Sequence, residues 1–374
     1  MEKDIIRFRH LLHQNPELSG NEFATQKRII EFVKQFNPDE VLKLAGTGLA
    51  IIYKGIESGK TLIFRADIDA LPIQENNLKI KYSSINQGVA HLCGHDGHTA
   101  ILLALAKKLS KKRPERGRVV LLFQPAEETG RGAKMVLNDE NFNKIKTDYI
   151  FGFHNLPGFE KNTFFIKDGI FAAASCGLIV EFQGKTAHAA EPEKGINPAF
   201  AIAHLVQYIR KELNRKIRYE DLAFATIIHI NVGEIAFGTS PGKATLMLTL
   251  RALRDDDLTK MLDSFKQELA HICRSEKIAY TINKTEEFPS LKNNSVLFEQ
   301  VSYIAKKSAY KTKVLKEAFR WSEDFAYFSK KYPVFYFGVG AGNIPSLHSV
   351  DYDFPDDIIV RTAGFLEKIV RNIK

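Results

Sequence analysis

Cysteine is scarce in this 374-residue chain: Cys93, Cys176 and Cys273 are odd in number and widely spaced. That argues against a disulfide framework and fits a reduced compartment. Long apolar runs are missing as well. Nothing approaches the roughly 18 consecutive apolar residues of a membrane span. Residues 1–30 mix acids with amphipathic spacing and hold no continuous apolar stretch of a signal peptide. A cytoplasmic location is therefore expected, with no membrane partner. Concentrated charge of one sign is also lacking. The formal charge is +9, but the 53 basic and 44 acidic residues are interspersed, so no nucleic-acid partner is expected. The densest basic run, 107–118, sits between an apolar helical pattern and a strand-like segment, and reads as a solvated helix end, with an anion-binding patch as the alternative. No internal repeat and no low-complexity tract is present, which removes solenoid and disordered classes.

What remains is a globular chain, 44% hydrophobic, long enough for two or three domains. Apolar spacing predicts helices over 4–13 and 21–36, strands over 48–53 and 61–65, a buried helix over 99–109, and strands over 118–123 and 148–154. Strands alternating with helices imply an α/β layer with a mainly parallel sheet, whose ligands gather beyond the carboxyl ends of the strands. From about Ser175 the rhythm changes to strand 177–182, helix 197–213, strands 222–232 and 243–253, helix 258–273 and strand 278–285. That βαββαβ order is the ferredoxin-like unit, and it reads as an insertion. The expected division is a first domain over 1–174 and 288–374, closed by strand 333–339 and a terminal helix from Asp356, with an inserted α+β domain over 175–287.

The stretch His91-Leu-Cys93-Gly-His95-Asp96-Gly-His98 concentrates soft and borderline metal donors. Two ligands separated by one Gly can converge on a metal where the backbone is not helical. The competing reading is a polar loop capping the helix that starts at Thr99. His98 reads as the bystander among them, at the helix start, either packing there or holding the loop. Glu127 and Glu128 follow the strand at 118–123. Adjacent side chains leaving a strand diverge, so one carboxylate could bind metal while its neighbour faces a water, the division that amide hydrolysis requires. A surface turn or helix cap is the alternative. His154, His348 and the pair Asp67 and Asp69 are each weak signals, but all fall near strand ends of the same sheet. In the insertion, His188 follows a strand at an exposed loop. Arg251 lies within an apolar strand, where it needs either a substrate carboxylate or an internal salt bridge. His10, His13, His204, His229 and His271 read as structural.

Together these pieces resemble a known family. Arg9-His-Leu-Leu-His-Gln-Asn-Pro16-Glu-Leu with Glu22 and Thr25, Arg65-Ala-Asp-Ile-Asp-Ala-Leu-Pro72, Cys93-Gly-His-Asp-Gly-His98, Gln124-Pro-Ala-Glu-Glu128, the His154 and His188 segments and Ser322-Glu-Asp-Phe325 are similar, in that order, to the hippurate hydrolase and indoleacetyl-amino-acid hydrolase branch of the aminoacylase and carboxypeptidase metallohydrolases. The resemblance covers almost the whole chain. It implies a zinc-exopeptidase-like catalytic domain with two divalent ions per chain, zinc or manganese, with cobalt and nickel also suited. The implied ligands are Cys93, His95, Glu128, His154 and His348, with Glu127 as general base and Asp69 orienting a ligand from behind. It further implies that the inserted domain is a lid and homodimer interface, that His188 reaches the partner's active site to bind the oxyanion, and that Arg251 holds a substrate carboxylate. The implied reaction is hydrolysis of the amide bond of small N-acyl amino acids by metal-activated water. A dipeptidase or carboxypeptidase using the same site is the alternative. A catalytically silent relative would have no chemical reason to keep base and ligands together. One departure stands out: Phe237-Gly-Thr-Ser-Pro241 replaces the family's usual Asn-containing run.

Overall fold

A computed structural model describes residues 3–77 and 79–373. The chain forms two compact units. The first comprises Met1–Phe171, Lys292–Glu317 and Asp324–Lys374, and the second comprises Ala172–Leu291 and Ala318–Glu323.

The first unit is an α/β layer built on an eight-stranded sheet. In spatial order the strands are Glu40–Leu44, Gly48–Lys54, Arg116–Gln124, Glu57–Asp67, Tyr149–Pro157, Val334–Gly342, Phe164–Ile166 and Thr312–Val314. The central pairings are parallel, from Arg116–Gln124 through Glu57–Asp67 and Tyr149–Pro157 to Val334–Gly342. Antiparallel pairs flank this centre. The central strands are buried almost throughout (Val119 to Gln124, Ile150 to Leu156), because strands covered on both faces must be continuously apolar. Helix His95–Lys111 is buried from its first residue through Ala106, and it shares one core with helices Lys3–Gln14 and Ile359–Asn372. Phe64 and Phe151 stack at 5.0 Å between ring centroids inside that core. Full burial of one such ring is worth roughly 1.5–3 kcal/mol.

The second unit is α+β. Its strands, in the order Ala223–Val232, Lys243–Ala252, Ala174–Gln183 and Ala279–Phe288, are all antiparallel to their neighbours. With helices Pro198–Tyr208 and Asp255–Ser275, this is the ferredoxin-like arrangement. Strand Lys243–Ala252 buries Ala244, Leu246, Leu248, Leu250 and Ala252 and turns Thr245, Met247, Thr249 and Arg251 to the half-buried face, as period-two alternation requires.

The structure revises two local expectations. The helix expected at Thr99 begins at His95, so His95, Asp96 and His98 lie in its first turn and not in a loop. The helix expected over 197–213 ends as an α-helix at Tyr208 and finishes in a wider π turn, Ile209–Leu213. Among the described residues no helix is long and apolar enough to cross a membrane.

Candidate active site

Parallel strands deliver their carboxyl ends to one edge of the sheet, and the chemistry-bearing residues of the first unit lie there. Strand Glu57–Asp67 ends in Asp67, with Asp69 just beyond. Strand Arg116–Gln124 leads into Glu127 and Glu128, and His154 sits near the end of Tyr149–Pro157. Between Cys93 and His95 the backbone passes through Gly94 at φ +95°. A Cβ there would come within 2.6 Å of Asn155 Oδ1 and 2.7 Å of the Tyr352 hydroxyl, so glycine is required both by conformation and by space. That turn lets Cys93 stand outside the helix while His95 opens it, and both point to one place.

The donor atoms converge. Cys93 Sγ is 3.5 Å from His154 Nε2. Glu128 Oε1 is 3.8 Å from His95 Nε2, and Glu128 Oε2 is 3.8 Å from His348 Nε2. Cys93, His95 and His154 form one group of mutually close donors; Cys93, Glu128 and His348 form a second, and His95, Glu127 and Glu128 a third. Tetrahedral ligands at about 2.0–2.3 Å from a shared ion are themselves about 3.3–3.8 Å apart, so these separations suit cation binding. Two of the donors are buried without a hydrogen-bond partner, His95 Nε2 and Glu128 Oε1. Such orphans are costly in a folded protein unless something else satisfies them. Carboxylate, imidazole and thiol together fit a zinc-like divalent ion.

Tautomers are set from behind. His95 Nδ1 lies 2.9 Å from the Asp69 carbonyl, and His154 Nδ1 lies 2.8 Å from the Asn155 carbonyl. A carbonyl only accepts, so each Nδ1 carries hydrogen and each Nε2 faces the cluster. The electrostatics are those of a site built for positive charge. Burial opposes charge on His95, yet Asp67 and Asp69 outweigh it and raise its pKa to about 10. Burial lifts the Glu128 carboxyl to about 7 against the pull of His95. Burial, and then Glu128, Glu127 and Asp67, push the Cys93 thiol well up.

Every sequence-predicted residue of the first unit lies in this cluster or directly behind it. Glu127 is buried, and the Asp324 amide approaches its Oε1 at 3.4 Å. Asp69 accepts from Ser19 Oγ at 2.7 Å and from the Glu128 amide at 3.0 Å. His348 is half exposed and adopts a left-handed φ of +65°, its amide donating to the Leu92 carbonyl at 2.8 Å. The pair Glu127 and Glu128 diverges for a different reason than expected. Neither continues the strand, which ends at Gln124; the intervening Ala126 is left-handed at φ +54°.

His188 and Arg251 belong to the second unit. His188 is exposed on a short strand paired with Thr239–Ser240. The Ala190 amide donates to its Nδ1 at 3.0 Å, which makes Nε2 the proton-bearing nitrogen. Arg251 does not form the internal salt bridge that was one of its two expected contacts. Its Nη1 donates to the Arg320 carbonyl and the Ser322 hydroxyl, each at 2.7 Å, and no carboxylate pairs with it among the described residues.

Three residues with no site role on sequence grounds, Arg65, His98 and Asn155, support the cluster around Asp67. Asp67 Oδ1 is 2.5 Å from His98 Nδ1 and Asp67 Oδ2 is 2.6 Å from Arg65 Nη1, and His98 Nε2 reaches Asn155 Oδ1 at 2.6 Å. His98 is thus a bonded member of the frame and not a bystander. The pair Arg65 and Asp67, two apart and so on one strand face, was the available signal. Behind the helix start, Asp96 receives Arg9 at 3.1 Å and His13 at 2.9 Å, both fully buried.

A mainly parallel sheet with thiol, imidazole and carboxylate donors gathered at its carboxyl edge, carrying an inserted ferredoxin-like unit, defines a hydrolase of the zinc-exopeptidase-like class. The chain belongs to peptidase family M20/M25/M40, whose model matches residues 63–372, and it is an amidohydrolase. It is 32% identical over 375 residues to hippurate hydrolase of Campylobacter jejuni subsp. jejuni serotype O:2, covering 99% of this chain and 96% of that protein. It is 30% identical over 377 residues to N-acetyl-L-cysteine deacetylase of Bacillus subtilis, covering 100% and 89%. Among solved structures, a dinuclear metal-binding peptidase of the M20 family from Bacillus subtilis superposes with a TM-score of 0.83 at 26% identity, covering 99% of this chain and 97% of that one.

Proposed function

We propose that this protein hydrolyses the amide bond of N-acyl amino acids, releasing a carboxylic acid and a free amino acid, with two divalent ions per chain. The observation that carries the reading is the cluster itself: five donor residues and an adjacent buried carboxylate, with His95 Nε2 and Glu128 Oε1 buried and unsatisfied. Relatives at about 30% identity named as a hippurate hydrolase and an N-acetyl-L-cysteine deacetylase support the substrate class.

Cys93, His95, Glu128, His154 and His348 would hold the ions, zinc or manganese, with cobalt and nickel also matching this donor set. The ions would supply Lewis acidity and a water of lowered pKa. Glu127 takes the proton of the attacking water and returns it to the leaving amine. Asp69 fixes His95 and the Glu128 backbone. His188 offers an Nε2–H to the developing oxyanion, and Arg251 a guanidinium to the substrate carboxylate. The second unit serves as lid and homodimer interface. Strand Ala223–Val232 is a sheet edge that exposes Ile228 and Ile230, and the loop after it exposes Ile235 and Phe237 fully, a surface suited to a symmetric partner. The three cysteines are free and buried, as a reduced cytoplasm allows.

The test is turnover of acetyl-, benzoyl- and indoleacetyl-amino acids, their carboxamide counterparts and dipeptides by chelated and metal-reconstituted protein. Activity on free-acid N-acyl substrates that chelation abolishes is expected, and Arg251→Ala should impair the free acids more than the carboxamides. No bound metal after reconstitution with zinc and manganese would end this reading; faster turnover of dipeptides would transfer it to a peptidase.

A further inference from the structure

Glu22 is fully buried and holds none of the roles assigned above. Its Oε1 accepts from the Gly20 and Ala126 amides, each at 2.9 Å, and its Oε2 accepts from the Thr47 hydroxyl at 2.5 Å. The Ala126 bond spans 104 residues of sequence and reaches the residue immediately before Glu127.

Burying a carboxylate is expensive unless its oxygens are well satisfied, and here all the partners are donors. Ala126 is itself in an unfavourable state, since a left-handed φ of +54° crowds any residue with a Cβ. Its carbonyl is held by the amides of Gly132 at 3.0 Å and Arg131 at 3.3 Å. The amide on its other side has Glu22. Glu22 stands at the start of helix Phe23–Val33, which is tied down on two sides. The Glu17 carboxylate caps that helix at the Ala24 and Thr25 amides, at 3.1 and 2.6 Å. The Gln26 side chain ties it to the carbonyls of Gly46 and Gly48 at 3.3 and 3.0 Å.

We infer that Glu22 is a positioning residue for Glu127: by gripping the Ala126 amide from a fixed helix start, it holds the left-handed turn that aims Glu127 at the reacting water while Glu128 turns to the ligand cluster. This rests on Glu127 being the general base. A base displaced by about 1 Å costs about 10²-fold in rate without a matching loss of binding.

Three variants test the assignment. Glu22→Gln keeps a carbonyl oxygen for the Gly20 and Ala126 amides and an NH2 that can donate to the Thr47 hydroxyl. Glu22→Asp keeps the charge but is one methylene too short, and Glu22→Ala removes the acceptor. The alanine and aspartate variants should lose about 10²-fold in kcat with KM and metal content unchanged, and the glutamine variant should recover most of that loss. The inference is overturned if the aspartate variant keeps wild-type kcat, if glutamine is as damaging as alanine, or if the loss lies in bound metal. Alanine and aspartate variants that both fail to fold would assign Glu22 to stability alone and also overturn it. The parent reading fails separately: it is lost if Glu127→Gln turns over normally, whereas an inactive Glu127→Gln beside a normal Glu22→Asp sinks the Glu22 assignment by itself.

Discussion

The main-chain amide of Glu128 donates to Asp69 Oδ2 at 3.0 Å, and Oδ1 of the same carboxylate lies 3.3 Å from His95 Nδ1. One residue thus orients two proposed ligands: its carbonyl takes the His95 ring N–H, with its carboxylate close by, and that carboxylate takes the Glu128 amide. Asp69→Ala should weaken ion binding by about 10- to 100-fold, the usual cost of losing a group that orients a ligand, as read by competition with a chelator. Unaltered affinity would remove Asp69 from the metal frame.

Glu127 and Glu128 separate by role. Glu127→Gln is expected to retain its ions and lose about 10²- to 10⁴-fold in kcat, because the change removes a proton acceptor and no ligand. Glu128→Gln should instead lower ion occupancy. Elemental analysis paired with turnover distinguishes the two, and exchanged phenotypes would reverse the assignment.

His13 gives the fold a pH signature. Burial alone would depress its pKa, but Asp96 and Glu75, at 2.9 and 3.1 Å, raise it from 6.5 to about 9. The folded value exceeds the unfolded one, so the charged imidazole stabilises fully below about 6.5 and its contribution fades as pH rises through about 9. A shift of that size corresponds to about 3 kcal/mol at most. Thermal unfolding across this window should therefore show a steeper fall in Tm for wild type than for His13→Gln. Parallel slopes would mean that the buried ring is uncharged.

His188 lies in the second unit and every proposed ligand in the first. If a partner subunit delivers it, mixing inactive His188→Ala with inactive Glu127→Gln under subunit exchange should restore activity, since some heterodimers hold one complete site. Persistent inactivity, or an active monomeric wild type, would abandon delivery in trans.

The order of elements was readable because each central strand is a short apolar run bounded by turns, and the ferredoxin-like unit followed from alternation such as that of Lys243–Ala252. The ligand candidates were readable because Cys and His rarely crowd together as they do from His91 to His98. What escaped is set by single dihedrals and long-range bonds. The helix start moved to His95 because Gly94 at φ +95° turns the chain there, and nothing in residue spacing marks that angle. His98 seemed idle because its partners, Asp67 and Asn155, are 31 and 57 residues away. The internal salt bridge expected as one alternative for Arg251 is absent because a backbone carbonyl and a hydroxyl from a segment 69 to 71 residues later take its Nη1.

Strand Val334–Gly342 fills the place between Tyr149–Pro157 and Phe164–Ile166, and His348 follows it. During synthesis, then, the place between those two strands stays empty until residues 334–342 have emerged from the ribosome, by which time the intervening ferredoxin-like segment already has its four main strands. Two apolar strand edges wait unpaired through that interval, the circumstance in which nascent chains misassociate. The burden of this architecture therefore falls on biogenesis: C-terminally shortened chains should be sticky and inert, and yield in cells should depend on chaperone capacity more than on the stability of the finished enzyme.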